Sequence, residues 1–439
     1  VSIARLRAGI GAEWSWASSH ARIPQVSGVV AELAAAVDHA RLSVTLRDAD
    51  IIFGTKVVHE GALPEGLTSF DLVHVPLSTR VMSQVDERLG ATCEIILEVG
   101  SQVVARIDEA VDLQPRDLWN LDGDAKHSGR YVHLRGQGSH LRRLLDEEPQ
   151  HPDRGEILLA LADIQRQIDA LDALSGSLLA AFVRPNHPAV AVVAREAAQL
   201  RGEIAGESSF HTFQLPEQNP EQRRVVADGV EASITAIYEA LRGRKIAYSE
   251  PPAGWDYAHV GQRIRDHGEV ANGGLATCMD STVLTAAVIE DVGLRPLLVL
   301  IPGHIFVGYW RHNPDLSGRD GTPDWYPRRA IVDDVSVVSN LVEAGYLGVI
   351  ETTALTVAKD RSADDARFEA LRGRLASGMS DDDVTLIDVA AARRLGVSPL
   401  PAVIERADGN TEIFEYRVDA PAAVTFVHSD APEAAIRER

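Results

Sequence analysis

The sequence predicts a multidomain α+β protein in which a β-sandwich, a helical segment and a mixed α+β domain follow one another. At 439 residues the chain is long for one domain, so two to four domains are expected. Strand-like alternation fills the first 118 residues, whereas helical periodicity dominates from 119 to about 245. A short helix followed by strands then indicates α+β structure in the next part of the chain.

Composition narrows the class of protein. The formal net charge of −21 disfavours direct nucleic-acid binding, because phosphate contacts require positive surface. Two cysteines cannot form a disulfide framework, which indicates a reducing compartment. No apolar run approaches the roughly 20 residues of a membrane span, and the first residues show no apolar signal-peptide core. We therefore expect a cytoplasmic protein with no membrane association.

Short strands separated by turn residues predict an immunoglobulin-like β-sandwich over residues 1–118. The stretch TCEIILEVGSQVVARIDEAVDL is typical of a hairpin that turns at Gly100-Ser101. Cys93 lies within this strand pattern, where a thiol serves packing rather than chemistry. Nothing catalytic stands out in this part of the chain.

Residues 119–200 predict a helical segment with a polar insertion. From Trp119 to about Pro152 the chain is basic and histidine-containing, and we interpret it as a surface insertion, with a nucleic-acid or anion contact as the alternative. The histidine spacing matches no zinc pattern, and no metal or cofactor is predicted. An amphipathic helix follows over 155–174. Residues 361–439 predict two short helices, a hairpin across Asp408-Gly409 and a tail.

The strongest chemical signal is Cys278. Thr277 and Asp280 flank it in the spacing of a capping box, with the threonine at the N-cap and the acid three residues later. This spacing places Cys278 at the first position of a helix that ends near Gly293. The unpaired N–H groups and the positive end of the helix dipole favour a thiolate there. They can also bind the oxyanion of a tetrahedral intermediate.

A candidate base and a candidate acid follow. His304 begins the second of two strands joined by Pro302-Gly303, and a cysteine with a nearby histidine is a recurring thiol–imidazole pair. The segment YLGVIETT is a further strand that, running antiparallel to 304–310, would bring Glu351 beside the His304 ring. Asp333 and Asp334 are the alternative orienting acids.

The stretch from Gly273 to Trp310, followed by GVIETTALT, resembles the core of the transglutaminase-like cysteine peptidases, a branch of the papain-like fold. The resemblance implies a papain-like α+β domain over residues 201–360. It also implies that Cys278 is the nucleophile, His304 the general base and acid, and Glu351 the orienting acid, although aspartate is the commoner third residue. Papain-like enzymes often carry an oxyanion-hole glutamine upstream of the nucleophile, and Gln262 is the candidate here.

Three further stretches resemble the region that precedes the helicase in large bacterial superfamily 1 helicases with an N-terminal domain of unknown function. They are SLLAAFVRPNHPAV, GQRIRDHGEV and LIDVAAARRLGVSPLP. This similarity covers roughly residues 1–405 and implies a helicase or nuclease partner. The chain has no Walker motif, so it is not itself expected to be an NTPase.

Two functions follow from these observations. The first is a cysteine-dependent acyl-transfer enzyme, a peptidase or isopeptidase. It would act on a protein or peptide substrate and form a thioester between the substrate acyl group and Cys278. The second is a catalytically silent binding or scaffold module that serves a helicase or nuclease partner, in anti-phage defence or DNA processing. The presence of a cysteine, a histidine and an acid together favours the enzyme.

Overall fold

The structure is a computed structural model that describes residues 4–120, 129–210, 212–250, 261–316, 323–405 and 411–414. The described residues up to Ser175 form one compact unit, and those from Gly176 onward form the other. Both helices and strands are present, so the predicted α+β class is confirmed. The predicted domain limits at 118, 200 and 360 are finer than this division and stay predictions.

The first unit contains two sheets of mostly antiparallel strands. Its strands are β1 Ala4–Ile10, β2 Glu13–Trp14, β3 Val26–Leu33, β4 Val37–Asp48, β5 Ile51–Leu63, β6 Gly66–Val73, β7 Leu89–Val99, β8 Gln102–Leu113 and β9 Leu118–Trp119. One sheet has the order β1-β3-β6 and the other the order β2-β8-β7-β4-β5. Strands β7 and β8 form the predicted hairpin, and Gly100 has the positive φ (62°) that this turn requires. Alternate residues of β4 and β7 are buried, as expected for strands with one face on a core.

The helices of the first unit are α1 Trp16–His20, α2 Thr79–Met82, α3 Gly129–Glu147 and α4 Arg154–Gly176. Helix α4 matches the predicted amphipathic helix. Helix α3 lies in the stretch predicted as a polar insertion, so the described part of that stretch is largely helical. Leu134 of α3 packs with Ile164, Ile168 and Leu171 of α4. The polar composition of the stretch gave no signal for this packing. Residues 121–128 of the insertion lie outside the described ranges.

The helices of the second unit are α5 Pro188–Ala205, α6 Pro220–Gly243, α7 His267–Ala271, α8 Cys278–Asp291, α9 Val335–Glu343, α10 Ala363–Phe368, α11 Ala376–Ser380 and α12 Val389–Arg394. Short 3₁₀ segments occupy Ser177–Phe182, Thr212–Gln214 and Thr352–Leu355, and Glu369–Leu375 is a π-helical turn. Helix α8 is buried over almost its whole length, since every residue from Cys278 to Ile289 is buried.

The strands of the second unit are β10 Ala247–Tyr248, β11 Gln262–Arg263, β12 Leu275–Ala276, β13 Pro296–Ile301, β14 His304–Trp310, β15 Ile331–Val332, β16 Leu347–Ile350, β17 Thr385–Asp388, β18 Ala402–Glu405 and β19 Thr411–Phe414. Five of them form an antiparallel sheet of order β15-β17-β13-β14-β16. Strands β18 and β19 form the predicted C-terminal hairpin. Its turn at Asp408-Gly409 and the tail beyond residue 414 lie outside the described residues.

Candidate active site

The candidate nucleophile, Cys278, is the first residue of helix α8. The Thr277 hydroxyl accepts a hydrogen bond from the Asp280 N–H at 3.2 Å, and the Asp280 carboxylate accepts one from the Thr277 N–H at 2.8 Å. This is the reciprocal capping box expected from the sequence. The thiol therefore lies where the N–H groups of the first turn and the helix dipole stabilise negative charge.

A buried ion pair holds this helix start in place. Asp280 is fully buried, and its carboxylate also accepts hydrogen bonds from the Arg265 N–H (2.8 Å) and from Arg265 Nη1 (2.7 Å). Gln262, three residues before Arg265 in the sequence, donates a hydrogen bond from Nε2 to the Thr277 hydroxyl at 3.2 Å. The structure thus places the oxyanion candidate Gln262 against the residue that precedes Cys278.

The imidazole of His304 contacts the predicted acid. Strand β16 pairs antiparallel with β14, with Val307 opposite Ile350, so the chain after Ile350 returns toward the start of β14. Nε2 of His304 lies 2.7 Å from Oε2 of Glu351. Because β16 runs antiparallel to β14, the structure brings the two side chains together although they are 47 residues apart in sequence.

Glu351 is a buried carboxylate whose charge is compensated. Oε1 accepts hydrogen bonds from the Thr353 N–H (2.9 Å) and the Thr353 hydroxyl (2.8 Å), while Oε2 contacts His304. Burial alone would raise the pKa of Glu351, but the hydrogen bond and charge of His304 and the two Thr353 donors outweigh it and lower the pKa. Glu351 is thus ionised at neutral pH and can stabilise an imidazolium.

Nε2 of His304 contacts Glu351, which leaves Nδ1 as the ring nitrogen available to a second partner. Cys278 is close enough to His304 to affect the protonation of its ring. Burial by itself lowers the pKa of His304, but the hydrogen bonds to Cys278 and Glu351 and the charges of both groups raise it to about 9. At neutral pH the ring therefore carries a proton that it can deliver to a leaving group.

Hydroxyl groups of helix α8 form hydrogen bonds with the segment that follows Glu351. Ser281 and Thr282, one turn after Cys278, both reach the Thr352 hydroxyl, at 3.3 Å and 2.9 Å. Thr282 also donates to the carbonyl oxygen of Ile305, the neighbour of His304 on β14, at 3.3 Å. These bonds fix the nucleophile, the base and the acid relative to one another.

The two alternative acids lie elsewhere. Asp334 is the exposed N-cap of helix α9, where its carboxylate accepts hydrogen bonds from the N–H and hydroxyl of Ser336. Asp333 is exposed as well. The carboxylate beside the His304 ring belongs to Glu351 and to neither aspartate.

The sequence did not predict the basic residues that hold the site residues in place. Arg265, 15 residues upstream, pairs with Asp280. From segments after Glu351, Lys359 contacts the Thr353 hydroxyl and Arg374 contacts the Glu351 carboxylate. Asp280 itself carried a signal as part of the capping box, and Thr353 could have been found from the repeated threonines after Glu351. The three basic residues carry no local motif.

Neither a metal site nor a membrane span accompanies this arrangement in the part of the chain that the structure describes. No group of three or more His, Cys, Asp or Glu side chains among those residues could hold a metal ion. Likewise, none of the described helices is both long enough and apolar enough to cross a bilayer.

A comparison of the chain with models of known protein families gives no match, and a search of curated proteins gives no significant one. The resemblance to transglutaminase-like peptidases therefore depends on the sequence motifs alone. What the residues themselves offer is a thiol at a helix start and a nearby protonated imidazole in contact with a buried carboxylate. That arrangement can perform nucleophilic attack followed by proton transfer.

Proposed function

We propose that the protein is a cysteine-dependent acyl-transfer enzyme, a peptidase or isopeptidase that acts through a thioester on Cys278. The observation that carries this proposal is the buried contact of His304 with Glu351 at 2.7 Å, together with Cys278 at a helix start close enough to His304 to affect the protonation of its ring. The antiparallel sheet with helix α8 beside it supports the assignment to a papain-like, transglutaminase-like domain. Two antiparallel sheets in the first unit support the proposed sandwich.

In the acylation step the Cys278 sulfur, as a thiolate whose proton is held by His304, bonds to the carbonyl carbon of a substrate amide, and the carbonyl electron pair moves to oxygen. The N–H groups at the start of α8 and the Gln262 amide stabilise that oxyanion. The intermediate collapses as the C–N bond breaks, and Nδ1 of His304 gives its proton to the departing amine. A thioester and a neutral imidazole, still held by Glu351, remain.

In the deacylation step neutral His304 takes a proton from water while the water oxygen bonds to the thioester carbon. The C–S bond then breaks, which releases a carboxylic acid and returns the thiolate beside an imidazolium. An amine in place of water would give transamidation. We assign hydrolysis, because the peptidases that this sequence resembles are mostly hydrolases.

One observation favours the rival function, a silent scaffold for a helicase or nuclease partner. Cys278 is only 2% exposed, so a substrate carbonyl reaches the sulfur only if the covering residues move. A scaffold would never need that opening. An enzyme would need it in every turnover, and loops around active sites commonly supply it.

Covalent trapping separates the two functions. The wild-type chain is mixed with p-nitrophenyl acetate and with a peptide library, quenched in acid, and digested for mass spectrometry. We expect an acyl group on Cys278, a burst of p-nitrophenol and no acyl group in Cys278→Ala, whereas Cys93→Ala should behave like the wild type. Absence of an acyl group on Cys278 from both reagents would leave only the scaffold.

A further inference from the structure

A second group of side chains surrounds Glu351 on the side away from Cys278. Its members, here called the Glu351 support cluster, are Thr353, Lys359, Glu369 and Arg374. Lys359 Nζ lies 3.0 Å from the Thr353 hydroxyl and 2.9 Å from Oε1 of Glu369. Arg374 lies between the two acids, with Nε 3.4 Å from Oε2 of Glu351 and Nη2 3.8 Å from Oε1 of Glu369.

Lys359 and Glu351 hold the Thr353 hydroxyl from two sides. An ammonium group can only donate hydrogen bonds, so the Thr353 oxygen must accept from Lys359 and direct its own hydrogen elsewhere. The remaining partner is Oε1 of Glu351, at 2.8 Å. The ionised Glu351 carboxylate can only accept, so the hydroxyl donates to it, and the ammonium occupies the acceptor position of the same hydroxyl oxygen.

The π-helical turn Glu369–Leu375 determines the position of Arg374. Residues five apart lie one turn apart in a π-helix. In an α-helix, with about 3.6 residues per turn, they point to different sides. The π-helical turn therefore places Glu369 and Arg374 on one face, where both reach the Glu351 support cluster. Turns of this kind are rare and often occur at functional sites.

We propose that Lys359 and Arg374 are positioning residues that hold the Glu351 carboxylate beside His304 and whose positive charges lower the proton affinity of the ring. This inference rests on the proposed function, because a positioned acid matters only if His304 transfers protons. Lys359 and Arg374 carry two positive charges against the two negative charges of Glu351 and Glu369. Without them the negative charges of the two carboxylates would be uncompensated, which favours protonation of the nearby ring.

The cluster has a defined electrostatic effect on His304. The charged or titratable groups that face the ring or its partners are Cys278 on α8, Glu351 after β16, Arg374 on the π-helical turn and Tyr248 on β10. Burial raises the pKa of Tyr248, followed by the charges of Cys278, Glu250 and Glu351. Arg374 is the cation that contacts Glu351 directly and Lys359 is the second cation of the cluster, so the loss of either removes a charge that opposes protonation of the ring. The Arg374 side chain is 38% exposed, and solvent screening keeps the effect moderate.

The test measures the titration of the His304 ring by ¹H–¹³C NMR of histidine-labelled protein, assigned with His304→Gln. In Arg374→Gln we expect the midpoint to rise by roughly half a pH unit, because a nearby positive charge has been removed. Arg374→Lys should keep the wild-type midpoint. The matched control is Arg372→Gln, an exposed arginine of the same π-helical turn, which should also leave the midpoint unchanged.

Lys359→Met gives a second test that does not involve the π-helical turn. It should raise the midpoint by a smaller amount, and far-UV circular dichroism of each variant confirms that the fold is kept. An unchanged midpoint in Arg374→Gln, or an equal change in Arg372→Gln, would overturn the inference. Because NMR requires no turnover, a shifted midpoint in a chain that forms no thioester would instead overturn the proposed function alone.

Discussion

The two cysteines of this chain are equally buried but lie in different chemical surroundings. Cys93 is fully buried on β7, between Leu46 of β4 and Glu109 of β8. Burial raises the pKa of Cys93 to about 12, and the charges of Glu109 and Glu94 add to the effect. That thiol has only acids and apolar neighbours, so it stays protonated and inert.

Cys278, 2% exposed, has the opposite surroundings. It begins a helix, lies close enough to His304 to raise the pKa of that ring, and follows a capping threonine that Gln262 and Asp280 hold in place. The comparison teaches that burial does not decide whether a thiol reacts. The donors and cations around the sulfur decide it.

The largest expected effect is loss of the orienting acid. Glu351→Gln keeps the shape of the side chain but removes the charge that stabilises the imidazolium, so we expect thioester formation to slow about 10²- to 10⁴-fold. Asp333→Asn, at an exposed position, should leave the rate unchanged. Single-turnover acylation, followed by the p-nitrophenol burst, measures both. Equal rates in wild type and Glu351→Gln would remove Glu351 from the site.

The next effect concerns the helix start that distinguishes Cys278 from Cys93. Asp280→Ala removes one partner of a buried ion pair and leaves Arg265 and the Thr277 N–H unpaired, so we expect a loss of about 3 kcal/mol in the free energy of unfolding. Urea unfolding followed by tryptophan fluorescence measures it. Asp334→Ala, at the exposed cap of α9, is the control and should cost clearly less. Similar costs for both variants would mean that the Asp280 pair does not anchor the nucleophile helix.

A smaller effect should appear when each thiol is replaced by a hydroxyl. Cys93→Ser buries a hydroxyl among strands with no polar partner for it, which should cost about 2 kcal/mol. Cys278→Ser keeps a hydrogen-bonding partner in His304 and should cost less than about 0.5 kcal/mol while abolishing acylation. Denaturant midpoints of the two variants check this. A reversed order would show that Cys278 is the packing residue.

The smallest effect is a pH dependence that separates two buried histidines of the second unit. Burial, followed by the charges of Arg184 and His187, lowers the pKa of His267 well below 6.5. His267 therefore takes up a proton in the unfolded chain but not in the folded one. As the pH falls from 6.5 to 5.5, the free energy of unfolding should decrease by about 1 kcal/mol. His304, with its pKa raised to about 9, contributes stability that is fully present below pH 6.5 and is lost as pH rises through about 9.

The two histidines can be tested separately. Urea midpoints of His267→Gln should lose the decline between pH 6.5 and pH 5.5 while keeping the decline on the alkaline side. In His304→Gln the alkaline decline should disappear instead. A wild-type stability that stays constant from pH 6.5 to pH 5.5 would contradict the assignment of a neutral His267.

Local signals predicted the parts of the site that local forces build. The capping box at Thr277, the turn before His304 and the strand that ends at Glu351 each depend on a few neighbouring residues, and the antiparallel return then places His304 beside Glu351. Helix α3 was not predicted, because apolar packing of Leu134 against α4 stabilises a stretch whose own composition is polar.

The supporting residues could not be predicted for a similar reason. Arg265 contacts Asp280, and Arg374 contacts Glu351, only in the assembled tertiary structure. No sequence spacing predicts these contacts, and no residue pattern identifies a π-helical turn. The finer family assignment remains a proposal that the experiments above can decide.

The most direct test of the central claim compares alkylation of the two thiols in one sample. Native protein is treated with iodoacetamide at neutral pH, and the modified fraction of each cysteine is followed over time by mass spectrometry. We expect Cys278 to react at least about ten times faster than Cys93, in line with thiolate character. Equal rates, or faster reaction at Cys93, would contradict the claim that Cys278 is an activated nucleophile.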